Sequence, residues 1–357
     1  MAPSEPTMDV ESLSRMLNVK NLQTRRWAVE ELGKIGSALV IDPLLRAMAD
    51  EDDSVCLMAL QAFGRIRDVR AVEALLPMLK EKDAYFRCIA ASALGNIRDA
   101  RAVKPLLQML TDSEITARIS AVVALGEIRD FRAVDPLGEI YDVAASGASS
   151  SEFEDCSQFA AIACLLDIHN IRKEAAIALG KIGGRRAIEI LSNVLAAYGP
   201  DTHRDAVDAL VMIGGVETVN ALRIGLKSSD PSARLAAIEG LRKTGSTEAV
   251  DLLLNLLSDT SEQVRRATVA ALATIKNRNS LPYLRALLSG RSAERNREFR
   301  AYIRTTIALI EKDTAGVVGL PRSDGPNFPR TTALPRVADP TPELNRRPRW
   351  VDEYGEI

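Results

Sequence analysis

The sequence predicts an all-α solenoid built from about nine helix pairs with a period of 31 residues. Gly33, Gly64, Gly95 and Gly126 stand 31 residues apart, in the similar tetrapeptides L-G-K-I, F-G-R-I, L-G-N-I and L-G-E-I. Hydrophobic residues make up 46% of the chain but aromatic residues only 4%, which indicates an aliphatic core of thin, closely stacked helices. A fixed period of roughly 20 to 50 residues is typical of solenoids, in which each unit contacts only its neighbours.

Within each unit, apolar residues recur at i, i+3, i+4 and i+7, which places them on one buried stripe per helix. Leucine stands eleven residues after the glycine position in all eight full units. Small residues such as Ala28, Ala59 and Ala90 allow the helices to approach closely. Glycine in a helix costs about 1 kcal/mol relative to alanine, so its recurrence predicts a backbone contact that a methyl group would obstruct.

The break between the paired helices carries residues that cap helices. An aspartate precedes the triplet R-A-V in three units, as Asp68, Asp99 and Asp130. Other good capping residues take its place elsewhere, as Ser37, Ser246 and Asn277. Each is expected to cap the first free N–H groups of the second helix. Because proline is tolerated best in a first turn, Pro43, Pro105 and Pro136 predict that this helix begins two or three residues earlier, or bends.

An arginine recurs eight residues before the glycine position. The set is Arg25, Arg87, Arg118, Arg172, Arg234 and Arg265, with Cys56 and His203 as replacements in the deviating units. Two interpretations are open: a ladder that binds inter-helix loops and carbonyls, or a row that binds anions. The even recurrence favours the structural ladder.

Both ends of the solenoid, which spans residues 9–312, are expected to be capped by half a unit. Residues 1–8 are expected to be disordered, and Val10, Leu13 and Leu17 indicate a single opening helix. A last single helix includes Ile307 and Ile310. The tail, 313–357, holds seven of the sixteen prolines and is expected to be disordered.

The tail ends in a segment that could bind a partner. Trp350 and Tyr354 lie between a basic and an acidic run, as in a short docking motif. An ordinary frayed tail is the simpler interpretation.

The register breaks once, because Gly126 and Gly180 are 54 residues apart and so enclose 23 extra residues. The insertion, about 142–169, begins with small polar residues and continues with apolar residues at near-helical spacing, including Phe153 and Phe159. It is either an extra helix or a long extension of the next first helix. Insertions in repeat proteins often lie on the binding face. A cover for local apolar surface is an equal alternative.

Charge and cysteine content indicate which partners and which cellular compartment to expect. With 46 Lys+Arg, 48 Asp+Glu and a net charge of -2, the composition predicts no nucleic-acid partner. The four cysteines form no C-x-x-C pair and are expected to be free thiols in a reducing compartment. The N-terminus lacks a signal-peptide pattern, and no run of about 18 apolar residues predicts a membrane span. We therefore expect a cytoplasmic protein.

The repeated unit R-x-x-A-x-x-A-L-G-x-I-x-D-x-R-A-V-x-P-L-L resembles the short HEAT repeat, in the variety first named for phycobilisome bilin lyases. The resemblance covers roughly residues 9–312. It implies paired antiparallel helices in a right-handed superhelix, with the second helices lining the concave face. Because this fold hosts scaffolds, lyases and metalloenzymes, the resemblance is specific for fold and not for function.

One enzymatic branch that the chain resembles, deoxyhypusine hydroxylase, holds two irons with His-Glu pairs on its first helices. Here the only histidines, His169 and His203, are followed by Asn170 and Arg204, so a di-iron site is not predicted. We interpret both histidines as ordinary surface or loop-edge residues. The sequence also lacks a phosphate-binding glycine motif and the spacing of a catalytic triad. No catalytic residue, metal or cofactor is therefore expected.

The function that the sequence favours is a non-enzymatic scaffold or adaptor that binds a protein partner on its concave helix face. The alternative is a bilin lyase-type subunit, which would bind a tetrapyrrole and assist its attachment to a carrier protein.

The expected binding surface follows outward positions of the second helices. Nine residues after the glycine position stand Asp42, Glu73, Lys104, Asp135 and Glu189. Glu139 and Asp142 extend this row at i+4 and i+7 from Asp135, where like charges repel by a few tenths of a kcal/mol per pair. A basic partner segment would explain why that repulsion is tolerated. The three carboxylates, with Phe153 and Phe159, are predicted to border the main partner site.

Overall fold

The computed structural model describes residues 9–145, 158–197, 199–289 and 296–314. These residues form helices joined by short turns and include no strand, so the all-α prediction is confirmed. The helices are α1 (Val10–Met16), α2 (Leu22–Ile35), α3 (Ile41–Ala47), α4 (Asp53–Ile66), α5 (Val72–Leu75), α6 (Ala84–Ile97), α7 (Val103–Met109), α8 (Ile115–Ile128), α9 (Val134–Ala145), α10 (Gln158–Ile182), α11 (Gly184–Ala197), α12 (Pro200–Ile213), α13 (Gly215–Leu226), α14 (Pro231–Thr244), α15 (Glu248–Leu254), α16 (Glu262–Ile275), α17 (Leu281–Ala286) and α18 (Arg297–Thr314).

The chain divides after Gly240 into two compact units, and α14 contributes to both. In the first unit, α1 is the single opening helix that the half-repeat predicts. The following helices alternate between first helices, such as α6, and second helices, such as α7. Short 3-10 turns lead into five of the second helices, as Ala38–Val40, Val69–Ala71, Ala100–Ala102, Phe131–Ala133 and Arg278–Ser280.

Close contact between consecutive first helices explains the repeating glycine. A Cβ atom added to Gly95 would lie 2.7 Å from the Cα of Ala124, a distance that real Cβ atoms do not reach. The same contact recurs at Gly126, whose added Cβ would lie 2.8 Å from the Cα of Ala178. The predicted backbone contact is thus confirmed. Since Gly126 meets Ala178 across the insertion, the stacking register continues through it.

The recurring arginine forms the predicted ladder. Arg87 donates from Nε and Nη2 to the two carboxylate oxygens of Asp112, at 2.7 and 2.8 Å. Its Nη1 donates to the carbonyls of Glu81 and Lys82, at 2.7 and 2.9 Å. Arg25 repeats the arrangement with Asp50 and the carbonyls of the loop before its helix. The ladder therefore joins the loop before a first helix to the loop that begins the next unit.

The turn caps are confirmed except at one position. The carboxylates of Asp68, Asp99 and Asp130 each accept a hydrogen bond from the backbone N–H two residues later, at 2.9 Å. Asn277 and Ser246 make the equivalent contact. Ser37 does not cap its turn, so that expectation is wrong there. The second helices α3, α7 and α9 begin two residues before their prolines, as predicted.

The insertion leads into α10, which at 25 residues is the longest helix of the described chain. The extension of a first helix is therefore the better of the two predicted forms. Beside it, the fully buried Tyr141 donates its hydroxyl to the carbonyl of Thr202 at 2.9 Å and so ties α9 to α12.

The interpretation of His203 as a surface residue is wrong, because only 1% of it is exposed. The sequence already shows that it occupies the arginine position of its unit, which faces the interior of the stack. His169 is exposed as expected, and its Nδ1 lies 2.8 Å from an Nη atom of Arg172.

The second compact unit packs α15, α16 and α17 around an aliphatic core of Leu253, Leu272 and Leu284. The helix α18 covers this core with the fully buried side chains of Phe299 and Ile303. It is the single closing helix that the sequence predicts. None of the described helices combines the length and apolar character needed to cross a membrane.

Candidate partner-binding surface

The predicted row of outward positions lies on the exposed side of the second helices. Asp42, Glu73, Asp135 and Glu189 are all exposed, whereas Lys104 is half-buried. Each of these residues belongs to the first turns of its helix, beside buried neighbours that fix its direction. The structure therefore presents carboxylates at the same register position of four units.

Three of the predicted carboxylates share one helix. Because α9 runs without interruption from Val134 to Ala145, Asp135, Glu139 and Asp142 lie on one side of it. Asp135 and Asp142 are exposed, while Glu139 is half-buried and its Oε2 is shielded from solvent.

A glycine brings α11 close to α9. Gly138 is buried, and a Cβ atom added to it would lie only 2.7 Å from the Cδ1 of Ile190. Without that side chain, Ile190 fits directly against α9. This packing places the exposed side of α11, with Arg186 and Glu189, beside the carboxylates of α9.

Arg186 links the two helices. Its Nε donates to Oδ1 of Asp135 at 2.7 Å, and its Nη1 lies 3.1 Å from Oε2 of Glu189. Asp135, Glu139, Asp142, Glu189 and Arg186 together form what we call the acidic cluster. Its exposed part consists of three carboxylates, Asp135, Asp142 and Glu189, and the guanidinium of Arg186, so this part carries a net negative charge when the four groups are ionised.

The pKa shifts in the acidic cluster follow from these contacts. The hydrogen bonds that Arg186 donates to Asp135 and, to a smaller extent, to Glu189 raise the pKa of Arg186. Although Asp142 is exposed, the protein around its carboxylate desolvates that group in part, which raises its pKa, and the nearby charge of Arg186 opposes this effect only in part. The ionised form of Asp142 is therefore less favourable in the folded protein than in water. A cationic side chain placed beside it would relieve that cost.

Sequence reasoning missed the arginines that accompany the row. Arg101 Nη1 donates to Oε1 of Glu73 at 2.7 Å, 28 residues along the chain. Arg186 is the counterpart for Asp135, but the insertion lengthens the separation to 51 residues. These pairings could have been predicted from the sequence, because the arginine follows the carboxylate by 28 residues once the 23 inserted residues are subtracted. Part of the repulsion attributed to a missing partner is thus already neutralised within the chain.

Four predicted site residues cannot be placed on this surface. Phe153, Trp350 and Tyr354 lie outside the described residues. Phe159 belongs to α10, but its side chain is outside the described part of the chain. The predicted contribution of the insertion and of the tail to a partner site stays a prediction.

The part of the chain that the structure describes contains no group of three or more His, Cys, Asp or Glu side chains suited to hold a metal. What the acidic cluster can do chemically is accept hydrogen bonds and form ion pairs with lysine or arginine side chains.

Comparison with known families gives two matches. The model described as "HEAT repeats" matches residues 10–87, 72–147 and 219–302, which together exceed half of the chain. The model described as "PBS lyase HEAT-like repeat" matches residues 171–197. No curated protein matches the sequence.

Several solved structures are similar to the chain. The complex of CpcE and CpcF of phycocyanin lyase from Nostoc sp. PCC7120 is 21% identical, with a TM-score of 0.40, and the match covers 76% of this chain and 98% of that one. Human deoxyhypusine hydroxylase is 19% identical, with a TM-score of 0.32 and coverages of 75% and 96%. Kap121p is 13% identical, with a TM-score of 0.49, and the match covers 87% of this chain but 38% of Kap121p.

Proposed function

The chain belongs to the HEAT-repeat family, and we propose that it is a non-enzymatic scaffold or adaptor that binds a protein partner on the face of its second helices. The resemblance to the short HEAT repeat implies that this face is concave. The observation that carries the proposal is the acidic cluster, in which Arg186 pairs with Asp135 of α9 and Glu189 of α11 while Asp142 of α9 is also exposed.

The chemistry of the acidic cluster selects the partner. Asp135 and Glu189 share Arg186, but both remain more than half exposed, at 65% and 57% of their side-chain surface. Asp142 carries a charge that its surroundings disfavour. A segment rich in lysine or arginine would supply the missing positive charge. We therefore propose a basic segment as the part of the partner that contacts this surface.

Replacing Asp135 and Asp142 by Asn and Glu139 by Gln should weaken partner binding while leaving thermal stability unchanged or slightly raised. The ion pair of Asp135 with Arg186 is exposed, and such pairs contribute about 0–1 kcal/mol. Because the folded protein raises the pKa of Asp142, ionisation of that residue opposes folding as the pH rises above its ordinary value. Its replacement by Asn removes that penalty at neutral pH.

The measurement is quantitative affinity capture from the native organism at increasing salt, with thermal denaturation of each variant. A matched control removes three exposed carboxylates from other repeats of the same compact unit: Asp53, Glu114 and Asp201. The captured partner should be lost from the first variant at lower salt than from the wild type or the control. Equal retention by both variants would refute the acidic cluster as the binding surface.

The bilin lyase-type function is a second candidate, favoured by the match of residues 171–197 to the PBS lyase HEAT-like repeat. Co-expression with a bilin and a phycobiliprotein separates the two functions. A lyase subunit would raise the amount of covalently attached bilin, whereas an adaptor would leave it unchanged. The cytoplasmic location, expected from the cysteines, also stays a proposal.

A further inference from the structure

Three arginines of the first compact unit, one in each of three successive repeats, adopt a backbone conformation that favours glycine. Arg67, Arg98 and Arg129 have φ angles of 60°, 62° and 60°, in the left-handed region. Each ends a first helix, and its backbone N–H donates to the carbonyl four residues earlier. We call these three residues the turn-edge arginines.

Other repeats of this chain have glycine at the same position of the turn. The equivalent position holds Gly36, Gly183, Gly214 and Gly245, all with positive φ. In the described residues, every non-glycine residue with positive φ is basic: the turn-edge arginines and Lys276. A side chain is unfavourable in this conformation because its Cβ crowds the backbone. The arginines of these three successive repeats therefore have a strained backbone conformation, and glycine at the same positions would remove the strain.

The helix dipole does not explain this choice. A cation near the C-terminus of a helix is favourable, but a lysine or arginine in the last helical turn gains the same interaction without a left-handed backbone. Arg65 already provides such a charge at the end of α4. Non-glycine residues in left-handed conformations cluster at functional sites, where the strain serves a purpose. The side chains themselves are thus the feature to be explained.

The turn-edge arginines are exposed and mostly lack acidic partners. Arg98 Nη2 donates to Oε2 of Glu127 at 2.8 Å. Arg67 and Arg129, in contrast, form no side-chain hydrogen bond or ion pair with any described residue. A chain of net charge -2 therefore carries a local strip of positive charge.

Apolar side chains stand next to these charges. Val69 follows Arg67 by two residues and is 52% exposed, and Phe131 follows Arg129 by two residues and is 80% exposed. Ala100 is also exposed at the equivalent position after Arg98. The edge formed by the turns of three successive units therefore alternates arginine with apolar surface.

We propose that the turn-edge arginines form an interaction surface for an acidic, extended segment of a partner protein that also carries apolar side chains. Stacked helices lie about 8–10 Å apart, so the arginines of adjacent units have roughly that spacing. Three residues of an extended strand span about 10 Å. An acidic residue at every third position would thus meet successive arginines, with apolar residues between them against Val69 and Phe131.

The carboxylates of the same turns favour a peptide over a nucleic acid. Asp68, Asp99 and Asp130 lie between the turn-edge arginines and the apolar residues, and each already binds its own arginine two residues later. The N–H groups of a peptide backbone can donate hydrogen bonds to such carboxylates, whereas the sugar-phosphate backbone of DNA has no donor, and its phosphates are repelled by them. This surface is formed by other residues than the acidic cluster, and the inference does not depend on the proposed function.

The test is a triple variant, R67G/R98G/R129G, in the full-length protein. Glycine relieves the left-handed strain, so the variant should be at least as stable as the wild type while losing the binding surface. Lys276→Gly is the matched control, because it makes the same backbone change in the second compact unit. The probe is a fluorescent peptide with Glu at every third position and Val or Leu between, measured by fluorescence anisotropy.

We expect the triple variant to bind this peptide about tenfold more weakly than the wild type, with a smaller dependence on salt, while Lys276→Gly binds as the wild type does. No binding by the wild type, or equal binding by the triple variant, would overturn the proposal. Tighter binding of a single-stranded oligonucleotide than of the peptide would overturn the choice of a protein partner. A lower melting temperature in the triple variant would refute the argument from strain.

Discussion

Replacing Arg87 by methionine should lower the free energy of unfolding by about 3–5 kcal/mol, which is typical for breaking a buried ion pair from one side. The side chains of Arg87 and Asp112 are only 10% and 12% exposed. Methionine fills part of the volume but removes the donors that Arg87 supplies to the carbonyls of Glu81 and Lys82 and to Asp112, which keeps only the N–H of Glu114. Urea denaturation followed by far-UV circular dichroism measures the loss.

A matched control for Arg87 exists in the turns. Arg70 also binds an aspartate and a loop carbonyl, but 51% of its side chain is exposed. Arg70→Met should therefore destabilise the protein much less than Arg87→Met, because exposed ion pairs contribute little to stability. Replacing Asp112 by leucine together with Arg87→Met should recover part of the loss, because no buried charge remains. If Arg87→Met proves as mild as Arg70→Met, the ladder does not hold the stack together.

Gly95→Ala should destabilise the protein by up to about 2 kcal/mol, although alanine is the better helix former. The propensity gain is about 1 kcal/mol, but overpacking a close contact typically costs about 1–3 kcal/mol. The added Cβ would lie 2.7 Å from the Cα of Ala124 and 2.9 Å from its Cβ, so two helix backbones must move apart. The same urea denaturation measures the effect.

Gly33→Ala is the control for this contact. There an added Cβ would lie 3.0 Å from Nη2 of Arg65 and 3.1 Å from the Cβ of Ala62, but 3.8 Å from the nearest backbone atom, the Cα of Ala62. Because the backbone contact is more than 1 Å longer than at Gly95, this variant should be less destabilised than Gly95→Ala. A Gly95→Ala protein that equals or exceeds the wild type in stability would contradict the backbone-contact explanation for the repeating glycine.

The features that the sequence predicted are those that several units share. The arginine ladder, the aspartate caps and the glycine contacts each recur with a period of 31 residues, so chance resemblance is averaged out. The helix starts before Pro43, Pro105 and Pro136 follow from local sterics alone. Both kinds of signal survive because the units pack in the same way.

The features that the sequence did not predict occur once or depend on distance along the chain. The pairing of Arg186 with Asp135 spans the insertion, which has no second copy in the chain to compare with. His203 is buried because it occupies the position that holds arginine in other repeats. Its residue type suggested a surface residue, whereas its position in the repeat indicated a buried one. The left-handed conformation of the turn-edge arginines was not predicted, because glycine indicates that conformation in a sequence and arginine does not.

Site-specific photo-cross-linking tests the central claim, partner binding on the second-helix face, most directly. A photoreactive amino acid would replace Asp135, Glu189 or, as the control, Trp27 on the first helix α2, in the full-length protein within its native extract. Trp27 is 42% exposed, so its position is also accessible to a partner. We expect the same cross-linked partner from positions 135 and 189 and none from position 27. Cross-links formed from position 27, with none from positions 135 and 189, would contradict the claim.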